Sequence, residues 1–206
     1  MRAAPSRSRS ELLPMTHNNP FAGLPEVPAF TLASKDLTEG QPLPAAQLSG
    51  IFGVPGGGDI SPQLSWSGAP EGTKSYAVTM YDPDAPTGSG FWHWAVADIP
   101  ASVTELPTDA GNGQGDLLPE GSIQLPNDAR AARFIGAAPP AGHGVHRYLI
   151  VVQALDVEKI GVDQFATPAF LGFNTSSHIL GRAILTATAE TPAEPTTRPA
   201  SPTGNR

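Results

Sequence analysis

The stretch KSYAVTMYDPDAP, residues 74–86, joins a β-strand pattern to a rigid turn. Its first nine residues are rich in aromatic and other strand-favouring types, which predicts a strand. Pro83 and Pro86 each fix their own φ and force the preceding residue into an extended conformation. The carboxylates of Asp82 and Asp84 are therefore presented at the end of a strand with little conformational freedom.

Two further stretches, FWHWAVADI (91–99) and HRYLIVVQAL (146–155), are nearly unbroken apolar runs. Such runs are typical of strands that are buried on both faces. Shorter strand candidates lie at residues 29–34, 63–68, 122–126 and 132–137. With 22 glycines and 23 prolines in the chain, many turns and few long helices are expected, which favours a mainly β fold.

The segment PAFLGFNTSSHILGRAILTAT, residues 168–188, is the best helix candidate because its apolar residues recur at roughly helical spacing. Gly172 and Gly181 weaken it, and a strand is the alternative for its end, AILTAT. Shorter helix candidates are TPAF (167–170) and VEKIG (157–161). One or two peripheral helices near the C-terminus are therefore predicted.

The domain organisation follows from composition along the 206 residues, a length that suits one domain. Residues 1–14 are rich in Arg, Ser and Pro and are predicted to be a disordered leader, with a short targeting or basic docking arm as the alternative. Residues 190–206 are rich in Pro and Thr and are predicted to be a disordered tail. The single domain is expected at residues 15–189.

The composition excludes several classes of function. The net charge of −7 disfavours binding to nucleic acid or to an anionic membrane surface. The absence of cysteine excludes disulfides, zinc–thiolate sites and thiol nucleophiles. No apolar run reaches the ~18 residues of a membrane span, and the N-terminus lacks the ~7-residue apolar stretch of a secretory signal. Together, these features of the sequence predict a cytoplasmic protein.

Hydrogen-bond donors recur at the strand–loop junctions. His93 lies between two tryptophans in GFWHWAV, and GAAPPAGHGVHRY (136–148) ends in His146, Arg147 and Tyr148. Imidazole and phenol groups suit a phosphate or carboxylate oxygen. The nearby aspartates could orient His93, or accept the ammonium of a zwitterion such as phosphoethanolamine.

Other residues are given structural roles. Arg147 alternates to the face opposite His146 and Tyr148, which predicts a structural ion pair, with one of the aspartates as a candidate partner. His143 is expected to be solvated and His178 to pack in the core or at an interface. The spacing of the histidines lacks a helical metal-binding motif, and GNGQG (111–115) has no flanking strand or helix, so neither a metal nor a dinucleotide cofactor is expected.

Four motifs together resemble the phosphatidylethanolamine-binding protein family, in its bacterial Raf kinase inhibitor-like branch. They are DISPQLSWSGAPEGTKSYAVTMYDPDAP, FWHWAVADIP, NDARAARFIGAAPPAGHGVHRY and GFNTSSHILGRA, and they cover roughly residues 27–188. The resemblance implies an antiparallel β-sandwich with a helix near the C-terminus, and a homodimer. It also implies a pocket for phosphate-like anions, formed by Asp82, Asp84, Pro86, His93, Pro140, His146 and Tyr148.

Three positions depart from the family pattern. Asp98 stands where Asn is frequent, Phe134 where Tyr is common, and Ala138 where Cys often precedes the two prolines. The first is expected to change a loop hydrogen bond, and the second to remove a phenol from near the pocket.

Three functions remain open at this point. The first is a non-enzymatic binding protein for a small phosphorylated or anionic ligand, such as phosphate or a phosphoethanolamine head group. The second is an interaction module that inhibits a kinase or protease through the pocket rim. The third is a hydrolase with Asp82 or Asp84 as base and His93 as acid, although no residue pattern marks a nucleophile.

Overall fold

The computed structural model describes residues 19–193, which form eight strands, one α-helix and one turn of 3-10 helix at Ala45–Gln47. The strands are β1 (Thr31–Ala33), β2 (Leu64–Ser67), β3 (Ser75–Asp82), β4 (Phe91–Pro100), β5 (Glu105–Leu106), β6 (Ile123–Gln124), β7 (His146–Leu155) and β8 (Ile179–Ala189), and helix α1 is Pro168–Thr175. The predicted leader, 1–14, and most of the predicted tail lie outside the described residues, so the domain boundaries stay predictions.

Two antiparallel sheets pack face to face, which confirms the mainly β sandwich. One sheet has the order β6-β4-β3-β7-β8 and the other has the order β1-β2-β5. Side chains from alternate positions of the large sheet, such as Val78, Trp94 and Ile150, share the main core with Leu64 and Trp66 of the small sheet. On the opposite face of the large sheet, Ala77, Ala95 and Ala97 pack with Leu171 of helix α1.

The two apolar runs occupy the middle of the large sheet, as their composition predicted. β4 and β7 are buried along most of their length because both faces are covered over much of the sheet. Between β3 and β4 the register shifts near Tyr76 and Val78, which indicates a β-bulge in β4.

Asp98 lies at this bulge with a φ of +59°, a conformation that Asp and Asn tolerate better than most residues. Its buried carboxylate accepts a hydrogen bond from the backbone N–H of Ile160 at 2.8 Å and lies 3.7 Å from Lys159 Nζ. The presence of Asp98, where the family often has Asn, therefore affects the β-bulge and the segment after β7. It does not affect the lining of the pocket described below, which does not include Asp98.

The long helix predicted at residues 168–188 is wrong beyond Thr175. The helix begins with the Thr167 side chain accepting from the Phe170 N–H, and the chain then turns and continues as β8. From residue 183 onward, burial alternates strictly between inward and outward side chains, which is the period of a strand. The alternative of a strand at AILTAT was the correct one.

The strand predicted at residues 132–137 is also wrong. Successive backbone N–H groups there bond to different segments: Phe134 to Gly111, Ile135 to His93 and Ala137 to Gln47. No continuous ladder with one partner strand is formed, so the segment is a connector. Phe134 is fully buried against Trp94, at 6.0 Å between ring centroids, and does not line the pocket, which corrects its expected place near the pocket.

Two shorter elements differ as well. VEKIG (157–161) contains no helix, and β5 was not predicted because a strand of two residues carries no periodicity.

Candidate functional site

A cavity of about 190 Å³ opens at one end of the large sheet, where β3 ends and where β4 and β7 begin. These strands are antiparallel neighbours, so the three junctions meet at the same edge. The lining residues are Phe52, Asp82, Ala85, Pro86, Thr87, Phe91, His93, Ala138, Pro139, Pro140, His146 and Tyr148. The structure thus brings six of the seven predicted residues together, and Asp84 is the one that does not line the cavity.

A chain of hydrogen bonds runs through the buried carboxylate of Asp82. Its Oδ2 lies 2.7 Å from His146 Nδ1, and its Oδ1 accepts from the backbone N–H of Asp84 at 2.8 Å. The Nε2 of His146 lies 2.7 Å from His143 Nδ1. His143 was expected to be solvated only; it is exposed, yet it bonds to the buried His146. The Asp82 carboxylate is therefore hydrogen-bonded, and it orients the paired imidazoles of His146 and His143.

Asp84 holds the turn to the start of β7 through Arg147. Its Oδ2 accepts from both the backbone N–H and the Nε of Arg147, at 2.9 and 2.8 Å, and its Oδ1 accepts from a terminal guanidinium nitrogen at 2.8 Å. The Asp84 side chain is 7% exposed and that of Arg147 23%. The ion pair expected for Arg147 is present, and it places Asp84 in a supporting position behind the pocket.

The charges of this pair affect each other's pKa. Burial alone would raise the pKa of Asp84, but the hydrogen bonds and positive charge of Arg147 outweigh burial and lower it. The hydrogen bond to Asp84 likewise raises the pKa of Arg147. Both groups are therefore held in their charged forms in the folded protein.

His93 is buried at the wall of the cavity. Its Nδ1 lies 2.9 Å from the backbone carbonyl of Ile135, which can only accept, so Nδ1 carries the hydrogen. Burial lowers the pKa of His93, and the bond to Ile135 offsets this only in part. The neutral ring then has Nε2 as its acceptor, which becomes a donor only on protonation.

Tyr148 supplies a buried hydroxyl with no partner. The residue is 0% exposed, and its OH finds no hydrogen-bond partner among the described residues. Burial raises the pKa of Tyr148 most, and the charge of Asp82 and the closeness of its carboxylate to the hydroxyl raise it further, so the phenol stays protonated. The contact with Asp82 does not reach hydrogen-bond geometry. The ring of Tyr148 meets that of His93 edge-on, with centroids 5.2 Å apart. An unpaired buried hydroxyl is costly, and in a cavity wall it is a donor available to a ligand.

Several site residues were not identified from the sequence. Phe52 and Phe91 form an aromatic rim, with ring centroids 6.2 Å apart. Asp59, buried with a φ of +50°, accepts from the backbone N–H of Ile51 and of Gly136, both at 2.8 Å. It thereby ties the loop that carries Phe52 to the segment that precedes the two prolines. The DISP motif contained this residue, but a distant backbone partner leaves no local pattern.

Outside the pocket, the structure also shows the surroundings of His178. His178 was expected to pack in the core or at an interface, and it is partly exposed with its Nδ1 2.7 Å from the Asp156 carboxylate. Among residues 19–193 no group of three His, Asp or Glu side chains is placed to hold a metal ion. Within the same residues, no helix is long and apolar enough to cross a membrane.

The part of the chain that forms the two sheets and the pocket matches a known protein family. The family model described as phosphatidylethanolamine-binding protein matches residues 33–190, which is most of the chain. The chain belongs to the phosphatidylethanolamine-binding protein family. The resemblance drawn from the four sequence motifs is thereby confirmed.

Individual members of the phosphatidylethanolamine-binding protein family are similar over nearly their whole length. The UPF0098 protein YbcL of Escherichia coli is 48% identical over 162 residues, which cover 79% of this chain and 88% of YbcL. The UPF0098 protein YbhB of the same organism is 46% identical over 76% of this chain and 97% of its own. Both of these similar proteins come from a bacterium.

Solved structures of family members agree with the fold. The crystal structure of E. coli YbcL superimposes with a TM-score of 0.76 at 47% identity, covering 78% of this chain and 98% of the other. A putative phosphatidylethanolamine-binding protein homologue from Chlamydia trachomatis gives a TM-score of 0.66 at 28% identity, covering 79% and 98%.

Proposed function

We propose that this protein is a non-enzymatic binding protein whose pocket holds a small phosphorylated anion. The observation that carries the proposal is Tyr148, which lines the same 190 Å³ cavity as His93 and whose buried hydroxyl makes no hydrogen bond of good geometry among the described residues. A phosphate oxygen in the cavity would accept from this hydroxyl and relieve the cost of its burial.

The charge of such a ligand is met by the imidazoles. Protonation of His93, whose ring lines the cavity, turns Nε2 into a donor. The ring of His146, bonded to that of His143, lines the cavity as well. Asp82 would repel the anion, but both of its oxygens already accept hydrogen bonds, from His146 and from the Asp84 N–H. Asp82 is therefore better placed to orient donors than to act as the free base of a hydrolase.

The proposal is tested by isothermal titration of inorganic phosphate, phosphoethanolamine and ethanolamine into the full chain. Phosphate and phosphoethanolamine are expected to bind at millimolar concentration or below, and ethanolamine is not. Tighter binding of phosphoethanolamine than phosphate would identify the zwitterionic head group as the preferred ligand form. If neither phosphate compound produces heat of binding, the proposed function fails.

The affinity for an anion is expected to rise as the pH falls. Sulfate is the suitable probe because its own charge stays constant between pH 8 and 5. Burial holds the pKa of His93 below its ordinary value in the free protein, and a bound anion raises it, so binding takes up a proton. Affinity should increase about tenfold for each unit by which sulfate raises that pKa.

The matched variant is His93→Gln, which keeps a side-chain donor but does not titrate. Titration calorimetry from pH 8 to pH 5 should show a much flatter profile for this variant than for the wild type. Three other ionisable side chains, those of His146, Asp82 and Tyr148, line the same cavity. An unchanged slope in His93→Gln would show that the proton is taken up elsewhere, against the role given to His93.

A further inference from the structure

A second, larger cavity of about 520 Å³ lies on the outer face of the large sheet, opposite the small sheet. We call it the outer groove. It is bounded by the chain before β1 and by the C-terminal end of helix α1. Its lining residues are Pro20, Phe21, Leu24, Pro25, Val27, Thr79, Tyr81, Trp92, Leu149, Val151, Gln153, Gly172, Ser176, Ser177, Ile179 and Arg182. Helix α1 covers the alanine-rich part of this face, and the groove is the part beyond it.

The outer groove is separate from the anion pocket, although the two share strands. Successive residues of a strand point to opposite faces, so Tyr148 lines the pocket while Leu149 lines the groove, and His93 lines the pocket while Trp92 lines the groove. The backbone of the sheet therefore stands between the two cavities.

Among the described residues that line the outer groove, Arg182 is the one that carries a charge. Its Nε is buried without a hydrogen-bond partner, and Arg182 forms no ion pair with any acidic side chain among residues 19–193. Its guanidinium carbon lies 4.8 Å from the centre of the Phe21 ring. Burial lowers the pKa of Arg182, and no carboxylate offsets that effect. Arg182 is thus partly buried, with solvent-accessible surface left on the residue and no carboxylate partner among the described residues. A partly desolvated cation of this kind favours an anion that enters the groove.

We propose that the outer groove binds a linear aliphatic carboxylate, with its alkyl chain against the apolar sheet face and its carboxylate paired with Arg182. The volume and the mainly apolar lining with one charged group fit the general form of small-molecule sites. A guanidinium favours a carboxylate because two parallel N–H···O bonds match its geometry. This site goes beyond the proposed function, since neither its residues nor its ligand belong to the anion pocket.

The groove also offers a position at which it can be filled without disturbing the fold. Gly172 lies in helix α1, has an ordinary helical conformation, and a Cβ added there meets no atom within 4 Å. A large side chain at this position would therefore enter open space in the groove, and it would also favour the helix relative to glycine.

The test is titration calorimetry of the full chain with decanoate and with decyltrimethylammonium, both below the concentrations at which they form micelles. These probes share an alkyl chain of the same length and differ in the sign of the head-group charge. Decanoate should bind at least tenfold more tightly. Equal affinities would show a merely apolar surface and overturn the assignment to Arg182, and absence of decanoate binding would overturn the proposal itself.

Variants distinguish this site from the anion pocket. Arg182→Met keeps the apolar bulk and should reduce decanoate affinity at least tenfold, with little effect on phosphate. Gly172→Phe should abolish decanoate binding, whereas its control Gly172→Ala should not. Tyr148→Phe should leave decanoate binding unchanged, so a failure of the anion pocket would not be mistaken for a failure of the groove.

Another occupant of the outer groove would be a second copy of the chain. Sedimentation of the full chain with and without saturating decanoate separates the two cases. A mass that decanoate leaves unchanged agrees with the small-molecule site. The contrary result would be a dimer that the substitution Gly172→Phe dissociates and to which decanoate does not bind. It would assign the groove to self-association and overturn the proposal.

Discussion

Asp84→Ala is expected to lower the free energy of unfolding by about 3 kcal/mol, at the lower end of the range for breaking a buried ion pair. The substitution leaves three donors of Arg147, one of them in the backbone, without the carboxylate that accepts from them. The loss of stability should be large because the Asp84 side chain is only 7% exposed. It should stay at the lower end of the range because the Arg147 side chain is 23% exposed and keeps part of its hydration.

Urea unfolding of the full chain measures this effect. The matched control is Lys35→Ala, which removes the ion pair between Lys35 and Glu105, 3.3 Å apart, with side chains 77% and 51% exposed. The control should cost less than about 1 kcal/mol because exposed ion pairs contribute little. Equal losses in the two variants would contradict the supporting role given to Asp84.

The same pair predicts how stability depends on pH. The pKa of Asp84 is lower in the folded protein than in the unfolded chain. Its contribution to the free energy of unfolding is therefore fully present at pH values above the pKa of the unfolded chain. It is lost as the pH falls from about 4 through the lower folded pKa. In Asp84→Ala this contribution should be missing, so the difference in stability between wild type and variant should shrink below about pH 4.

Tyr148→Phe is expected to change stability and affinity in opposite directions. Removing a buried hydroxyl that has no partner should raise the free energy of unfolding of the ligand-free protein by about 1 kcal/mol. If the hydroxyl donates to the ligand, the same change should weaken phosphoethanolamine binding at least tenfold, which is the size expected for a hydrogen bond to a charged group. Thermal unfolding and titration calorimetry measure the two effects separately.

Tyr81→Phe is the matched control. The Tyr81 hydroxyl lies on the other side of the sheet from the pocket and donates to the Ser89 carbonyl at 2.8 Å. This control should lose a little stability and keep its affinity for phosphoethanolamine. A Tyr148→Phe protein that is less stable, or that binds as tightly as the wild type, would show that the hydroxyl has a structural role instead.

The fold was largely predictable because its central strands carry strong local signals. β4 and β7 are buried on both faces for most of their length, and their sequences are correspondingly apolar throughout. The start of α1 was identifiable from Thr167 and Pro168, an N-cap followed by a proline in the first turn. Its end was not, because the residues of β8 fit both a helical and an alternating pattern, and only the sheet decides between them.

Segments whose partners are distant in sequence were not predictable. Residues 132–137 have strand-like composition, yet each backbone group finds a different partner, which no local pattern records. The same reason explains why Asp59 was missed and why Asp84, chosen with Asp82 from one motif, turned out to lie outside the pocket. Asp82 ends β3, whereas Asp84 lies in the turn that follows, where its N–H bonds back to Asp82 and its carboxylate bonds to Arg147.

A crystal structure of the full chain with phosphoethanolamine at saturating concentration tests the proposed anion pocket directly. We expect the phosphate group in the 190 Å³ cavity, with one oxygen within hydrogen-bond distance, about 2.5–3.0 Å, of the Tyr148 hydroxyl and another facing His93 Nε2. An empty cavity at saturation, or a phosphate bound elsewhere with the Tyr148 hydroxyl still unpaired, would contradict the proposal.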